Sequence, residues 1–181
     1  MSEMRVETDR LVIRPWRHEE AERMLDMLSR AEVMKWLGDG EVVLMETVEE
    51  AHERIDRYNT ERNNPPLGSW AIERKADGVV AGSVLLLTLP NAEDGEVEIG
   101  WHLHPDSWGL GYASEAARAV LGHAFEAGLP EVIAVSHTTN DASIAVMRRI
   151  GMTDHGVVEK WYEGPSRCFV MTAAQWAAHQ V

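Results

Sequence analysis

The stretch Glu96-Val97-Glu98-Ile99-Gly100-Trp101-His102-Leu103-His104-Pro105-Asp106-Ser107-Trp108-Gly109-Leu110-Gly111-Tyr112-Ala113-Ser114-Glu115-Ala116 decides how the rest of this chain is read. Residues 96–103 suit a strand, closed by Pro105, which has no N–H to give a ladder. A turn with Gly109 and Gly111 follows. From Ala113 to Ala127 the apolar residues Ala113, Ala116, Ala117, Val120, Leu121, Ala124 and Phe125 recur at helical spacing, until Gly128 and Pro130 end the run. A strand, a glycine turn and a helix in that order make an anion site. The first helical turn leaves N–H groups unpaired, the helix dipole adds positive potential, and glycines let a phosphate approach the backbone. No Lys-Ser/Thr follows the glycines, so this is not a Walker A loop. A third glycine is absent, so the dinucleotide fingerprint fails too. On the glycines alone, a phosphate site and a plain tight turn stand as equal readings.

Working outward, Arg10 to Arg14 reads as a first strand stopped by Pro15, and Glu19 to Ala31 as a helix with Ala21, Met24, Leu25 and Leu28 on one face. Thr47 to Glu61 reads as a second, more polar helix, with Gly38 to Met45 a loop between them. After Asn63-Asn64-Pro65-Pro66 the pattern turns to strands. Ser69 to Arg74 and Val79 to Leu87 flank Lys75-Ala76-Asp77-Gly78, an Asp-Gly hairpin signal. Beyond the central helix come a short apolar strand at Val132 to Val135, a helix at Asp141 to Ile150 stopped by Gly151, and late strands near Val157 to Trp161 and Arg167 to Thr172. This order describes one α/β domain over residues 1–181, with a parallel strand–helix–strand unit around the 113–127 helix.

The 181 residues include 17 Lys+Arg and 30 Asp+Glu, a formal net charge of −13, with 45% apolar and 26% charged residues. That balance is globular rather than disordered, and the length suits one domain. The acidity argues against nucleic acid and against an anionic membrane surface, and favours a cationic partner. The N-terminus lacks the basic-then-apolar order of a secretory signal, and no window approaches a membrane span; Val79 to Leu89 is broken by Gly82, Ser83 and Thr88. A single cysteine, Cys168, excludes an intrachain disulfide, and a cytoplasmic protein is expected.

The wider string narrows the reading. Glu98-Ile99-Gly100-Trp101, then Pro105 with Trp108-Gly109-Leu110-Gly111-Tyr112-Ala113-Ser114-Glu115-Ala116, then Asn140-Asp141-Ala142-Ser143, together with the opening Thr8-Asp9-Arg10-Leu11-Val12-Ile13-Arg14-Pro15, resemble the GNAT acyl-CoA-dependent N-acetyltransferases. Within them the likeness is to the branch of ribosomal-protein N-terminal acetyltransferases. The resemblance implies a GNAT fold of α/β (α+β) class, a mixed, mostly antiparallel sheet of about seven strands flanked by helices, with one splayed parallel pair. It implies acetyl-CoA as co-substrate, and the spacing of the histidines gives no reason to expect a metal. The pyrophosphate would rest on backbone N–H groups of Trp108, Gly109, Leu110, Gly111, Tyr112, Ala113 and Ser114. The pantetheine arm would lie along Ile99, Trp101, His102 and Leu103, across a gap bordered by Val132 to Thr138. It would also meet Asn140, with Ser143 near the sulfur.

An amine attacks a thioester only when deprotonated, so a base is useful. The resemblance implies Glu98; Glu96 has the same strand parity and shares its face. Pointing to solvent, or merely orienting the substrate ammonium, is the plainer role for Glu98. Asn140 and Asp141 also read as helix caps. Many family members protonate the leaving thiolate with a Tyr further along this helix. Here Met147 to Met152 lacks it, and Ser143 is the substitute the branch suggests. A polar residue the family often has at the Leu110 position is missing as well. The implied reaction is direct acetyl transfer to a primary amine, preferably the α-amino group of a protein or peptide. Small amines such as polyamines or aminoglycosides are the alternative acceptors. A non-catalytic acyl-CoA-binding module and a nucleotide-binding protein are the readings from other classes. A homodimer is common among such enzymes.

Other residues invite plainer readings. His102 and His104, two apart, suit ligation geometrically but lack a third ligand. Cys168 belongs in the core. Trp36 and Trp161 are candidates for an acceptor pocket. The acidic run Glu46, Glu49, Glu50 and Glu53 is either a solvated helix face or a rim attracting cations.

Overall fold

Alternation along the strands sorts side chains into two layers. Trp70 and Ile72 belong to one buried cluster while Ala71 between them belongs to another. The computed structural model describes residues 4–180. Its sheet has eight strands: β1 (Val6–Glu7), β2 (Leu11–Arg14), β3 (Gly68–Arg74), β4 (Val80–Thr88), β5 (Val97–Leu103), β6 (Glu131–His137), β7 (Thr153–Val158) and β8 (Ser166–Thr172). Their order in space is β1-β2-β3-β4-β5-β6-β8-β7. Every neighbouring pair is antiparallel except β5 and β6. The expected class and parallel pair stand, and the short β1 makes the eighth strand.

The helices are α1 (Ala21–Leu28), α2 (Ala31–Met34), α3 (Val48–Glu61), α4 (Tyr112–Glu126), α5 (Asp141–Arg149) and α6 (Ala173–His179). The stripe Ala116, Ala117, Val120, Leu121 and Ala124 presses α4 onto the sheet beside Val84, Leu86 and Ile99. Small residues on that stripe let the helix sit close. On the opposite face, α1 supplies Met24, Met27 and Leu28, and α3 supplies Ala51, Ile55 and Tyr58. The α3 helix is therefore amphipathic despite its polar composition. Thr47 caps it by accepting from Glu50 N at 3.2 Å, and Glu50 accepts from Glu46 N at 2.8 Å. Glu49 and Glu50 sit in its first turn, where carboxylates complement the dipole. That gives these residues of the acidic run a structural purpose.

Two strand boundaries and two helices differ from expectation: the single helix expected over Glu19 to Ala31 is instead α1, ending at Leu28, and the separate short α2. The strand expected near Val157 to Trp161 lies earlier, at Thr153–Val158, because Trp161 turns into the core against Leu89, Ile133, Cys168 and Val170. As an exposed edge strand, β7 carries little of the alternation that marks strands in sequence. The strand at Val132 to Val135 runs on through Ser136 and His137, polar residues that periodicity does not flag. The helix α6 was not anticipated, although Thr172 and Gln175 form a capping box, a signal present in the sequence. No helix among the described residues is long and apolar enough to cross a membrane.

Candidate active site

The parallel strands part almost as soon as they meet. Glu98↔Ile133 is the one register pair that β5 and β6 share. Beyond it the strands diverge, and a cavity of about 1800 Å³ passes between them from one face of the sheet to the other. Ile99, Trp101, His102 and Leu103 line it along β5, with Val135, Ser136 and His137 on β6.

At one end lies the glycine turn. Gly109 and Gly111 have φ of +72° and +81°, the left-handed region that other residues enter at a cost of about 1–2 kcal/mol. The N–H groups of residues 109–114 have no acceptor among the described residues. Trp108, Gly109, Gly111, Tyr112, Ala113 and Ser114 all line the cavity. Leu110 does not; its side chain is 49% exposed and its carbonyl accepts from Arg10 at 2.8 Å. Trp108 is anchored by its indole N–H on the Leu103 carbonyl at 2.9 Å.

Two networks fix this turn. Glu115, in the first turn of α4, accepts from Thr8 Oγ1 at 2.6 Å, from Arg10 N at 2.9 Å and from Arg10 Nε at 2.7 Å. Burial alone would raise the Glu115 carboxyl, but these bonds hold it below its ordinary range. The Thr8-Asp9-Arg10 opening is thus a brace for the turn, a role its sequence position did not reveal. On the other side, Asp106 accepts from Arg23 at 2.8 Å and Ser107 at 2.8 Å, which holds its carboxyl well below the usual range. His104 bonds Asp26 at 2.8 Å, tying the corner to α1.

His104 therefore lies past the end of β5 in a separate network, and the expected histidine pair on one strand is not formed. Among the described residues, no group of three His, Cys, Asp or Glu side chains could hold a metal. His102 is 8% exposed with neither ring nitrogen bonded, and burial pushes its pKa down to about 4. Its side chain alternates with Leu103 and so packs on the sheet face away from α4.

Cations gather near the turn. Arg149 donates to Ser114 Oγ at 3.0 Å and Arg118 to the Arg149 carbonyl at 2.7 Å. Neither has a carboxylate partner among the described residues, and both line the cavity. Asn140 Oδ1 accepts from Ser143 N at 3.2 Å, so the expected cap is made. Among the described residues the Asn140 amide donors and the Ser143 hydroxyl have no partner, and both residues line the cavity. The donor-rich turn, unpaired guanidinium groups and long slot suit a phosphate-bearing thioester of the coenzyme A type.

The opposite end is acidic. Glu98, Asp39 and Glu163 line it with Trp36 and Tyr162. The Tyr162 hydroxyl donates to Glu98 Oε1, and Glu98 Oε2 has no partner among the described residues. Burial drives the Glu98 pKa up to about 7, against the lowering influence of Tyr162. By contrast Glu96 is paired with Lys160 at 2.7 Å and held down to about 2, so the two carboxylates sharing a face have opposite charge habits. Trp36 meets His137 edge-on with ring centroids 5.8 Å apart. Trp161 is buried and does not line the cavity. Cys168 is buried as well, which pushes its thiol up and leaves it inert. Tyr162 and Asp39 were missed in the sequence, where nothing marks loop residues as meeting Glu98.

Known proteins share this fold, and one family shares the sequence pattern over most of the chain. Residues 10–153 match the family described as acetyltransferase (GNAT) domain. The FsC-acetyl coenzyme A-N(2)-transacetylase of Aspergillus fumigatus is 32% identical over 165 residues, covering 87% of this chain and 68% of that protein. The uncharacterised N-acetyltransferase YoaA of Bacillus subtilis is 29% identical over 157 residues, 86% of each chain. Among solved structures, the ribosomal L7/L12 alpha-N-protein acetyltransferase RimL in complex with coenzyme A superposes with a TM-score of 0.79 at 15% identity, over 95% of this chain and 99% of that one. The chain belongs to the GNAT acetyltransferase family, and it is an acetyl-CoA-dependent N-acetyltransferase.

Proposed function

We propose that the protein acetylates the α-amino group of a peptide or protein, with Glu98 as general base and Ser143 beside the leaving sulfur. Glu98 carries the proposal: a carboxylate with one free oxygen, at the acidic end of a slot whose other end is built for phosphates. Bound acetyl-CoA would present a thioester open to attack by a neutral amine. This chain's part is to hold it, orient the amine and take the proton. The turn N–H groups of residues 109–114, with Arg118 and Arg149, would hold the phosphates. Ile99 to Leu103 and Asn140 would flank the pantetheine arm.

Proton affinity argues for the α-amine. An α-ammonium titrates near 7.7–8.0, so passing its proton to a carboxylate of pKa about 7 is uphill by only about 1 kcal/mol. A lysine-like alkylammonium near 10.4 makes the same transfer uphill by about 5 kcal/mol. The acidic lining of Asp39, Glu98 and Glu163 favours a second reading, a small cationic amine, and the named Aspergillus relative is an N-transacetylase. The two separate in one assay of free-thiol release from acetyl-CoA. Release with a peptide, abolished by blocking its N-terminus, supports the first reading; release with polyamines or aminoglycosides alone supports the second.

Two variants probe the parts. Arg149→Ala removes a charge-assisted contact and is expected to weaken coenzyme A binding by about tenfold, measured by tryptophan fluorescence titration. Replacing Ser143 by Ala is expected to lower kcat about three- to tenfold with KM for acetyl-CoA unchanged. The effect is small because a thiol of pKa near 8.5 already leaves readily.

A further inference from the structure

The loop between β7 and β8 is tethered unevenly. Its first residues are fixed on the β5 side: Lys160 pairs with Glu96 at 2.7 Å, the Trp161 indole is buried, and the Trp161 carbonyl accepts from Asn91 at 2.9 Å. Its tip carries Tyr162 onto Glu98. Apart from that bond, the tip's hydrogen bonds among the described residues come from Glu163 N–H, which donates to both oxygens of Asp39 at 2.9 Å each. Asp39 stands 124 residues away in sequence, in the loop after α2. The two loops meet at the acidic end of the cavity, and both line it.

We propose that Asp39 is a positioning residue for acetyl transfer: by gripping Glu163 N–H, it holds Tyr162 in place to donate to Glu98. The proposal rests on the reading of Glu98 as the base. A base must be ionised to act and must keep one oxygen free for the amine. A donor on Oε1 meets both needs, since it stabilises the carboxylate and orients Oε2. Burial first, then Glu98, with Asp39 adding, pushes the Tyr162 phenol above its ordinary value, so it stays a donor across the working range. Opening the Asp39 contact frees the tip to swing outward, and Glu98 loses its donor. The other titratable groups around this corner are Lys35, stacked over Trp36, His137 on β6, Glu163, and on the face of β5 Glu96 with Lys160, and His102.

The test is the carboxyl carbon-13 titration of Glu98 in glutamate-labelled protein, its resonance assigned by its absence in Glu98→Gln. Tyr162→Phe is expected to raise the midpoint by about one pH unit, the worth of a hydrogen bond to a charged group. Asp39→Ala is expected to move it the same way, and Asp39→Ala/Tyr162→Phe to match Tyr162→Phe alone. Asp39→Asn keeps an oxygen for Glu163 N–H and is expected to restore the wild-type midpoint. A wild-type midpoint in Asp39→Ala, or additive shifts in the double variant, overturns the proposal. Thiol release by Glu98→Gln separates the two levels. If that variant keeps wild-type activity, the base reading itself fails; if it is inactive while Asp39→Ala leaves the titration unmoved, only the positioning role fails.

Discussion

Glu98→Gln is expected to lose acetyl transfer by about 100-fold or more while becoming more stable above neutral pH. The rate loss follows from removing the base, since the amide cannot accept the amine's proton. The stability gain follows from burial. The carboxyl titrates near 4.5 when exposed and at about 7 in the fold, so ionising it in place works against folding. For a group whose folded pKa is raised, the stability it contributes is fully present below pH 4.5 and is lost as pH rises through 7. Gln stays neutral throughout and keeps an oxygen for Tyr162. Its advantage is therefore absent near pH 4.5 and reaches up to about 3 kcal/mol at pH 8, before allowing for partial exposure. Thermal unfolding at both pH values reads it. A variant that loses rate and gains stability in this pattern marks a residue kept for function at the fold's expense.

Gly82→Ala is expected to destabilise the protein by about 3 kcal/mol, or ~6–12 °C in Tm, and to damage the site with it. Gly82 lies in β4 opposite Leu103. A Cβ there would stand 2.1 Å from the His102 carbonyl oxygen and 2.7 Å from Leu103 Cα, both backbone atoms that no rotamer change can move aside. Relief requires β4 and β5 to separate at the end of β5 that leads into the glycine turn. Trp108 hangs from the Leu103 carbonyl, so the turn is expected to shift as well. Gly100→Ala is the contrasting case, because its Cβ would meet the flexible Leu85 side chain at 3.1 Å, which can yield. A larger drop in melting temperature and coenzyme A affinity for Gly82→Ala than for Gly100→Ala would bear this out.

The central segment was legible because its signals are local. Pro105, the two glycines and the α4 stripe each mark a boundary or a face within a few residues, and the structure places strand, turn and helix where they predict. The motif residues along β5, the turn and the start of α5 also fall on one cavity, with Leu110 the exception. Leu110 sits at the crest of the turn, where only its backbone is held. What periodicity does not carry is the meeting of distant loops. Tyr162 reaches Glu98 across 64 residues, and Asp39 reaches Glu163 across 124, from segments with no repeating pattern. The sheet order brings them together, not any spacing along the chain. The edge strand β7 was misplaced for a related reason: an exposed strand need not alternate, while the apolar Trp161 that attracted the assignment serves a different cluster.

Glu98 as the base is the claim on which most else depends, and the pH dependence of kcat/KM tests it most directly. Free-thiol release from acetyl-CoA would be followed from pH 5.5 to 9 with a free-N-terminus peptide, for the wild type and for Glu98→Gln. The account predicts an acid limb with its midpoint near 7 in the wild type. In the variant that limb is absent, and its residual rate follows only the acceptor's own ionisation near 8. The same limb near 7 in both proteins, with comparable rates, would contradict it.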